Sequence, residues 1–354
     1  MARNLMLLLE HCGARVQLLS ELRLYEGKGE RDRQIELQQK ANLEVERICT
    51  AISQREAERP ALWLTYHNYY KAPDLIGPHV ARRLGIPYVQ IESTRANKRL
   101  NGPWTTFAAA AHEAADAASV IYYLTSHDHE TLERDRAGQQ KLLHLAPFLP
   151  LATLPAVSSD QGDMTDGPFR LLSVAMMRDG DKHASYTLIA ETLQQLRFDW
   201  QLTIIGDGPA RPAVEQLMAP FGARVQFLGQ LDAQAVSRAY GTADLFFWPG
   251  VNEAFGMVYL EAQAHGLPVL AQARPGLTDV VCDWPAGFTL PAVCDGAQGL
   301  AQRLTQLAAT PAAVQTQQTA VRNRIQSAHL LPAAAKELRQ GLAPLLAPST
   351  KATS

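Results

Sequence analysis

Cysteine is scarce in this chain. Cys12, Cys49, Cys282 and Cys294 are the only four in 354 residues, and no two have C-x-x-C or zinc-ligand spacing. That excludes a disulfide-stapled secreted fold and points to a reducing, cytoplasmic setting. Long apolar runs are also missing: nothing approaches the roughly 20 residues that a bilayer span needs. The run 5–9 is too short for a signal-peptide core, and Glu10 follows it. Charge of one sign is lacking too, with 33 Lys and Arg against 35 Asp and Glu for a net charge of -2, so no global field draws nucleic acid or a membrane. What is present is 47% hydrophobic residues over a length that suits two ordinary domains, enough to bury two cores.

The rest of the chain is organised around residues 245–281, LFFWPGVNEAFGMVYLEAQAHGLPVLAQARPGLTDVV. An apolar, aromatic run at 245–248 predicts a strand buried on both faces, ended by Pro249 and Gly250. A loop carries Asn252 and Glu253 into a helix predicted over 255–264, with Gly266 at the left-handed position beyond it and a further strand over 267–271. Glu253 then lies just before a helix N-terminus, and Glu261 two turns into the helix. Gly256 falls in the first turn, where a missing Cβ lets a ligand reach the backbone. The free amides of Phe255, Gly256 and Met257, with the helix dipole, suit a diphosphate or sugar oxygens, and Glu261 suits a ribose diol. The plainer alternatives are a dipole-stabilised Glu253 and a solvated Glu261.

Taken in order, residues 2–11 predict a helix capped by Gly13, 16–19 a strand, 35–59 a helix stopped by Pro60, and 61–66 a strand with His67 at its carboxyl end. Helix then follows to Leu84, strand over 85–91, helix over 112–118 and strand over 119–124, with Ser126 or Asp128 as the next N-cap. A Pro- and Ser-rich break at 148–168 separates this domain, 1–150 with a linker at 151–168, from a second at 169–330. There strands and helices alternate (170–177, 183–196, 201–205, 210–219, 225–228, 233–240), which means an α/β domain with a parallel sheet. Helical segments over 299–307, 312–327 and 332–346 close the chain. The last (331–347) is expected to cross back to the first domain, and the tail 348–354 to be disordered. A doubly wound sheet begins with a strand and a glycine-bearing turn, whereas this chain opens in a helix. The first strand is thus missing: either translation begins upstream of Met1, which is the expectation and calls for in-frame sequence of about five to eight apolar residues followed by a Gly or Ser turn, or the sheet has lost an interior strand and left two parallel neighbours unpaired.

Pro249, the Glu253-Ala-Phe255-Gly256 and Glu261-Ala-Gln-Ala-His-Gly266-Leu-Pro268-Val269 runs and the Pro275-Gly276 turn together resemble the E-x7-E region of the family-4 retaining glycosyltransferases of the GT-B fold, the group 1 glycosyl transferases. The resemblance extends through most of residues 60–330 and implies two Rossmann-like, doubly wound domains facing across a cleft. Arg178-Asp-Gly-Asp-Lys182 resembles the family's G-R-L-x-x-x-K-G loop, with Lys182 at the lysine, Met176 in place of the arginine, and Arg178 able to restore a phosphate fork. Gly206-Asp-Gly208-Pro209 resembles the G-D-G-P loop near the nucleotide base.

What the resemblance implies is a retaining hexosyltransferase that moves a sugar from a nucleotide diphosphate donor to an acceptor hydroxyl in glycan or cell-surface polysaccharide synthesis. Glu253 and Lys182 would stabilise the reaction electrostatically. Arg178, Gly206, Gly208, Phe255, Gly256, Met257 and Glu261 would hold the donor. No cofactor or metal is expected: Asp179-x-Asp181 adjoins Lys182, and His127-Asp-His129 has no evident third ligand. On the acceptor side stand His67, Lys98 and Arg99. The family often ends the strand after residue 85 with a histidine near the sugar, where this chain has Glu92 and Ser93. The basic run Arg95, Lys98 and Arg99 suits a glycan or lipid-linked acceptor, with peripheral contact at the inner membrane face, or is a solvated loop. A non-catalytic nucleotide-sugar binder and a nucleotide-sugar epimerase are the alternatives.

Overall fold

The computed structural model describes residues 1–156, 167–284 and 289–346. It divides into two compact units, Met1–Ala146 with Ala334–Ser354, and Pro147–Ala333. The linker expected over 151–168 lies partly, and the tail from 348 wholly, outside the described residues.

The first unit begins with helices α1 (Ala2–His11) and α2 (Arg31–Ser53). Alternation follows as β1 (Trp63–Asn68), α3 (Gly77–Leu84), β2 (Tyr88–Ser93), α4 (Thr105–Ala117), β3 (Val120–Tyr123), α5 (Ser126–Arg134) and β4 (Lys141–His144). All four strands are parallel, in the order β1-β2-β3-β4. Leu37, Ala41, Val45, Ile48 and Ile52 recur at helical spacing on α2 and close over Leu75, Ile76 and Phe107.

The strand expected at 16–19 does not form. No strand among the described residues stands beside it, and Leu18 is 65% exposed, so the segment runs as irregular chain; its Leu19, with Leu22 and Leu24 beyond it, packs on the α2 core. Helix α2 stops at Ser53 rather than Arg59, because the chain turns at Arg55 with a left-handed φ of 63°. The cap of α5 is Thr125, not Ser126 or Asp128: its Oγ1 accepts from the Asp128 amide at 3.2 Å and donates to the Asp128 carboxylate at 2.7 Å.

The second unit runs β5 (Phe169–Val174), α6 (Asp181–Leu193), β6 (Trp200–Ile205), α7 (Arg211–Met218), β7 (Val225–Gly229), α8 (Ala233–Thr242), β8 (Leu245–Phe247), α9 (Met257–Ala264), β9 (Val269–Leu270), α10 (Gly296–Ala308) and α11 (Pro311–Ala328). Its five parallel strands lie in the order β7-β6-β5-β8-β9. The strand order reverses between β5 and β8. In an open parallel sheet such a reversal leaves a crevice at the strands' carboxyl ends, where ligands bind. The central strands are apolar on both faces, as predicted for the run 245–248: Leu171, Leu172, Ile204, Phe246 and Phe247 are all buried.

After unit 2 the chain enters α12 (Leu331–Leu346), whose Leu338 carbonyl accepts from the Tyr122 hydroxyl at 2.9 Å in the first unit's core. Gly341 is required there, since a Cβ would stand 2.1 Å from the Tyr122 hydroxyl. Among the described residues no helix is long and apolar enough to cross a membrane.

Candidate functional site

Three turns meet at the reversal point of unit 2. The turn after β5 carries Met176, Arg178 and the start of α6. The turn after β6 carries Gly206 and Gly208. The turn after β8 carries Trp248, Glu253 and the start of α9. The first two turns are locked by main-chain bonds: Ala175 donates to Ile205, Met177 to Asp207, and Ala210 to Met177, each at 2.9–3.0 Å.

Gly206 and Gly208 are what allow this approach. At φ of 136° and 152°, a Cβ would fall 1.9 Å from the Ala175 oxygen and 2.2 Å from the Met177 oxygen. Their amides are already engaged, Gly206 with the Gly229 carbonyl at 2.8 Å and Gly208 with its neighbour Asp207's carboxylate at 2.7 Å. The sequence marks these glycines for the donor; the structure supplies a packing reason for them as well.

Lys182, in the first turn of α6, and Glu253, in the loop after β8, form an ion pair across 71 residues of sequence. Their side chains are 21% and 17% exposed. Trp248, which ends the β8 run, holds both: its Nε1 donates to Glu253 Oε1 at 3.3 Å, and Lys182 Nζ lies 5.4 Å from its ring centroid. The loop is pinned to α6 twice more. The Val251 amide donates to Ser185 Oγ at 3.0 Å, and the Asn252 side chain donates to the Asp181 carboxylate at 2.7 Å. Asp181 is thereby engaged as a loop anchor. Arg178 is exposed and makes no ion pair among the described residues, and Met176 is 55% exposed.

Helix α9 starts at Met257, two residues later than the sequence suggests. Gly256 is its N-cap at a φ of 66°, a conformation outside the helix. A Cβ on Gly256 would meet the Tyr259 ring at 2.5 Å, so the space its missing side chain leaves is filled by the protein rather than left open for a ligand. Tyr259 is fully buried and donates to the Trp248 carbonyl at 3.1 Å, tying α9 to the end of β8. The amides of Phe255, Gly256 and Met257 find no acceptor among the described residues. Three adjacent N–H groups at a helix start make an anion cradle, and Lys182 supplies a full positive charge nearby in the same crevice.

Glu261 is the fifth residue of α9, little more than one turn in rather than two. Burial raises its pKa, opposed by the Tyr240 hydroxyl that donates to Oε2 at 3.2 Å. Tyr240 is buried on α8 and stacks on His265 at 5.1 Å; His265 in turn bonds the Glu261 carbonyl and Ser237. Sequence reasoning missed both Trp248 and Tyr240. Trp248 stood in view as the end of an apolar strand, whereas nothing local to Tyr240 marks its contact with Glu261 twenty-one residues later.

The residues expected on the acceptor side, His67, Lys98 and Arg99, lie in unit 1. His67 and Glu92 stand opposite one another near the carboxyl ends of β1 and β2, each with a left-handed φ, 67° and 60°, where non-glycine residues are strained. Their side chains meet with His67 Nδ1 3.0 Å from Glu92 Oε1. Lys98 and Arg99 are exposed on a single turn, Asn97–Arg99. Arg95 is not available with them: its side chain is 2% exposed and bound to Asp116 at 2.7 Å, a structural pair. His127 and His129 sit in the first turn of α5, and among the described residues no three His, Cys, Asp or Glu side chains gather as metal ligands.

Residues 168–310 match the family model "Glycosyl transferases group 1". The sulfoquinovosyl transferase SQD2 of Arabidopsis thaliana is 36% identical over 89 residues, 25% of this chain and 17% of that protein. A GDP-mannose-dependent alpha-mannosyltransferase of Mycolicibacterium smegmatis is 35% identical over 94 residues, 27% of this chain and 24% of the relative. The matched stretches thus span a quarter or less of these relatives. Among solved structures, a sucrose-phosphate synthase of Thermosynechococcus elongatus superposes with a TM-score of 0.65 at 21% identity, covering 88% of this chain and 80% of that one. Anabaena Alr3699/HepE, solved in complex with UDP-glucose, superposes with a TM-score of 0.63 at 17% identity, covering 85% and 82%. The two parallel-sheet α/β units thus have the GT-B fold, and within the second of them residues 168–310 are similar to the group 1 glycosyl transferases.

Proposed function

We propose that this protein transfers a hexose from a nucleotide diphosphate sugar to an acceptor hydroxyl, with retention at the anomeric carbon, in the synthesis of a glycan or cell-surface polysaccharide. The observation that carries the reading is the Lys182–Glu253 pair on Trp248, set in one crevice with three acceptor-less amides. A diphosphate entering the crevice takes hydrogen bonds from the amides of Phe255, Gly256 and Met257. It also draws Lys182 away from Glu253. The freed carboxylate then accepts from a sugar hydroxyl, and Glu261 accepts from the ribose diol.

As the bond from the anomeric carbon to the phosphate oxygen breaks, negative charge builds on the diphosphate, and Lys182 and the amides stabilise it where water is sparse. The acceptor oxygen bonds the same carbon on the same face, and its proton passes to the departing phosphate oxygen. No enzyme nucleophile and no metal enter this scheme. The reaction is placed in the cytoplasm, at the inner membrane face when the acceptor is lipid-linked. The relatives' sulfoquinovosyl and mannosyl transfers, and the neighbour's UDP-glucose, support a nucleotide diphosphate sugar as donor.

A panel of nucleotide sugars tests the reading by thermal stabilisation and slow donor hydrolysis, with the product anomer identified by NMR. One donor is expected to stabilise the protein and to yield a product of unchanged anomeric configuration. Failure of every nucleotide sugar to stabilise it, or donor epimerisation with no acceptor present, would overturn the proposal.

A further inference from the structure

In unit 1 the carboxyl ends of β1 and β2 bring together two polar features that the protein itself leaves incomplete. At one end, Glu92 Oε1 engages His67 and the Tyr66 hydroxyl lies beside the same carboxylate, while Oε2 is buried with no partner within hydrogen-bond geometry among the described residues. An unpartnered buried carboxylate oxygen calls for a donor. At the other end, the turn after β1 and the turn after β2 set Tyr70 and Trp104 edge to face at 5.5 Å, with two cations over the same rings. Arg99 lies 5.1 and 5.3 Å from the two centroids and Lys71 lies 5.7 and 5.5 Å from them. Neither cation has a carboxylate partner among the described residues, and the Trp104 indole N–H is buried without an acceptor. Two like charges gathered beside an unused donor call for an anion.

The two ends are continuous. His67 packs on Tyr69 at 4.5 Å, Tyr69 on Tyr70 at 5.8 Å, and Tyr70 on Trp104, so a run of half-buried rings joins the carboxylate to the cations. The strand ends are held rigidly beneath it. Buried Asn68 donates to Ser93 Oγ at 3.0 Å and to the Ala111 carbonyl at 2.9 Å, and accepts from the Asp74 amide at 3.0 Å. The paired left-handed kinks at His67 and Glu92 are thus imposed by a fixed frame, as strain at binding sites commonly is.

We propose that this tract is the acceptor site and that its ligand is a phosphorylated sugar, an inference that rests on the glycosyltransferase reading. A sugar hydroxyl donates to Glu92 Oε2, the sugar's C–H face lies on the aromatic run, and the phosphate sits between Arg99 and Lys71 and accepts from Trp104 Nε1. The phosphate belongs either to a soluble sugar phosphate or to an isoprenoid-linked sugar, and the chemistry recognised is the same.

Titration of the full-length chain with glucose 1-phosphate, followed by tryptophan fluorescence and ligand-detected NMR, tests the site, with glucose and inorganic phosphate as partial ligands. A parallel arm presents an isoprenyl-phosphate glucose in phosphatidylcholine vesicles. Saturation by the soluble compound or by the vesicle-borne one identifies the source. In either arm the whole ligand should bind about tenfold or more tightly than glucose or phosphate, since both ends are engaged. Glu92→Met and Arg99→Ala should each weaken it by about fivefold or more while leaving nucleotide-sugar affinity unchanged. Arg99 is exposed, so Arg99→Ala separates loss of the site from loss of the fold. Intact donor binding with no binding in either arm, or binding undiminished in both variants, overturns the site and spares the transferase reading. Absence of donor binding in the unsubstituted protein overturns the reading on which the site rests.

Discussion

Glu253→Gln separates the two jobs assigned to the Lys182–Glu253 pair. On the proposed function, the carboxylate competes with the donor diphosphate for the ammonium. Both side chains are about four-fifths buried, so the pair lies between an exposed salt bridge and a fully desolvated charged hydrogen bond, about 1–2 kcal/mol. A glutamine keeps the volume and can still accept from Trp248 Nε1, but it no longer neutralises Lys182. A nucleoside diphosphate without its sugar should therefore bind about 5- to 30-fold more tightly to the variant. The nucleotide sugar gains the same amount but loses a charge-assisted contact from a sugar hydroxyl worth about 1.5–3 kcal/mol, so its affinity should stay level or fall. Because that contact strengthens as charge develops on the sugar, kcat should fall by about 100-fold. Isothermal titration of the nucleoside diphosphate and of its sugar against both proteins reads the split directly. Weaker binding of the bare diphosphate to Glu253→Gln would show that the carboxylate does not restrain Lys182 and would refute the exchange.

Lys182→Ala should lower kcat more than donor affinity, because the leaving group gains charge in the transition state; a rise in KM alone would mark Lys182 as a binding residue only. Glu261→Gln should stabilise the empty protein at pH 7 while weakening donor binding. The folded-state pKa of Glu261 is raised, so its ionisation opposes folding once the pH exceeds the unfolded value, and the advantage of the variant should vanish as pH is lowered below about 4. Denaturant unfolding of the two proteins against pH checks the sign. Gly206→Ala should cost about 3 kcal/mol or more, seen as a shifted urea midpoint, because its Cβ would overlap the Ala175 carbonyl in a backbone conformation that alanine avoids.

Unit 2 was legible in the sequence because its signals are local. Apolar runs such as 245–247 can only be buried strands once Pro249 and Gly250 end them, and the alternation with helices leaves few topologies. The start of α9 was read two residues early, since Phe255 continues the helical apolar pattern and only the conformation of Gly256, set by the ring of Tyr259, delays the helix. The segment 16–19 misled for the opposite reason: four apolar-leaning residues look like a strand, but strand formation needs a neighbour, and the described residues offer none there. Arg95 and Arg99 read alike in the sequence. Only the fold shows one buried against Asp116 and the other laid across Tyr70 and Trp104.

The crevice of unit 2 also sorts its residues by what holds them in place. Gly206, Gly208 and Gly256 are fixed by steric need: the Ala175 oxygen, the Met177 oxygen and the Tyr259 ring already occupy the space a side chain would take. Their identity would be demanded by a fold that bound nothing. Lys182 and Glu253 are different. Folding alone would be served as well by two apolar side chains of similar size, because a largely buried ion pair recovers little of its own desolvation cost. Nor does the fold need three adjacent amides left without acceptors, or a glutamate whose pKa burial pushes upward against a lone tyrosine hydroxyl. These features cost the fold stability and lie where the strand order of unit 2 reverses. A site that is electrostatically incomplete at the point where the topology opens a crevice is what an anionic, hydroxyl-rich ligand would complete, and the separate responses of Glu253→Gln to nucleotide and to nucleotide sugar measure how much of that completion each half of the ligand supplies.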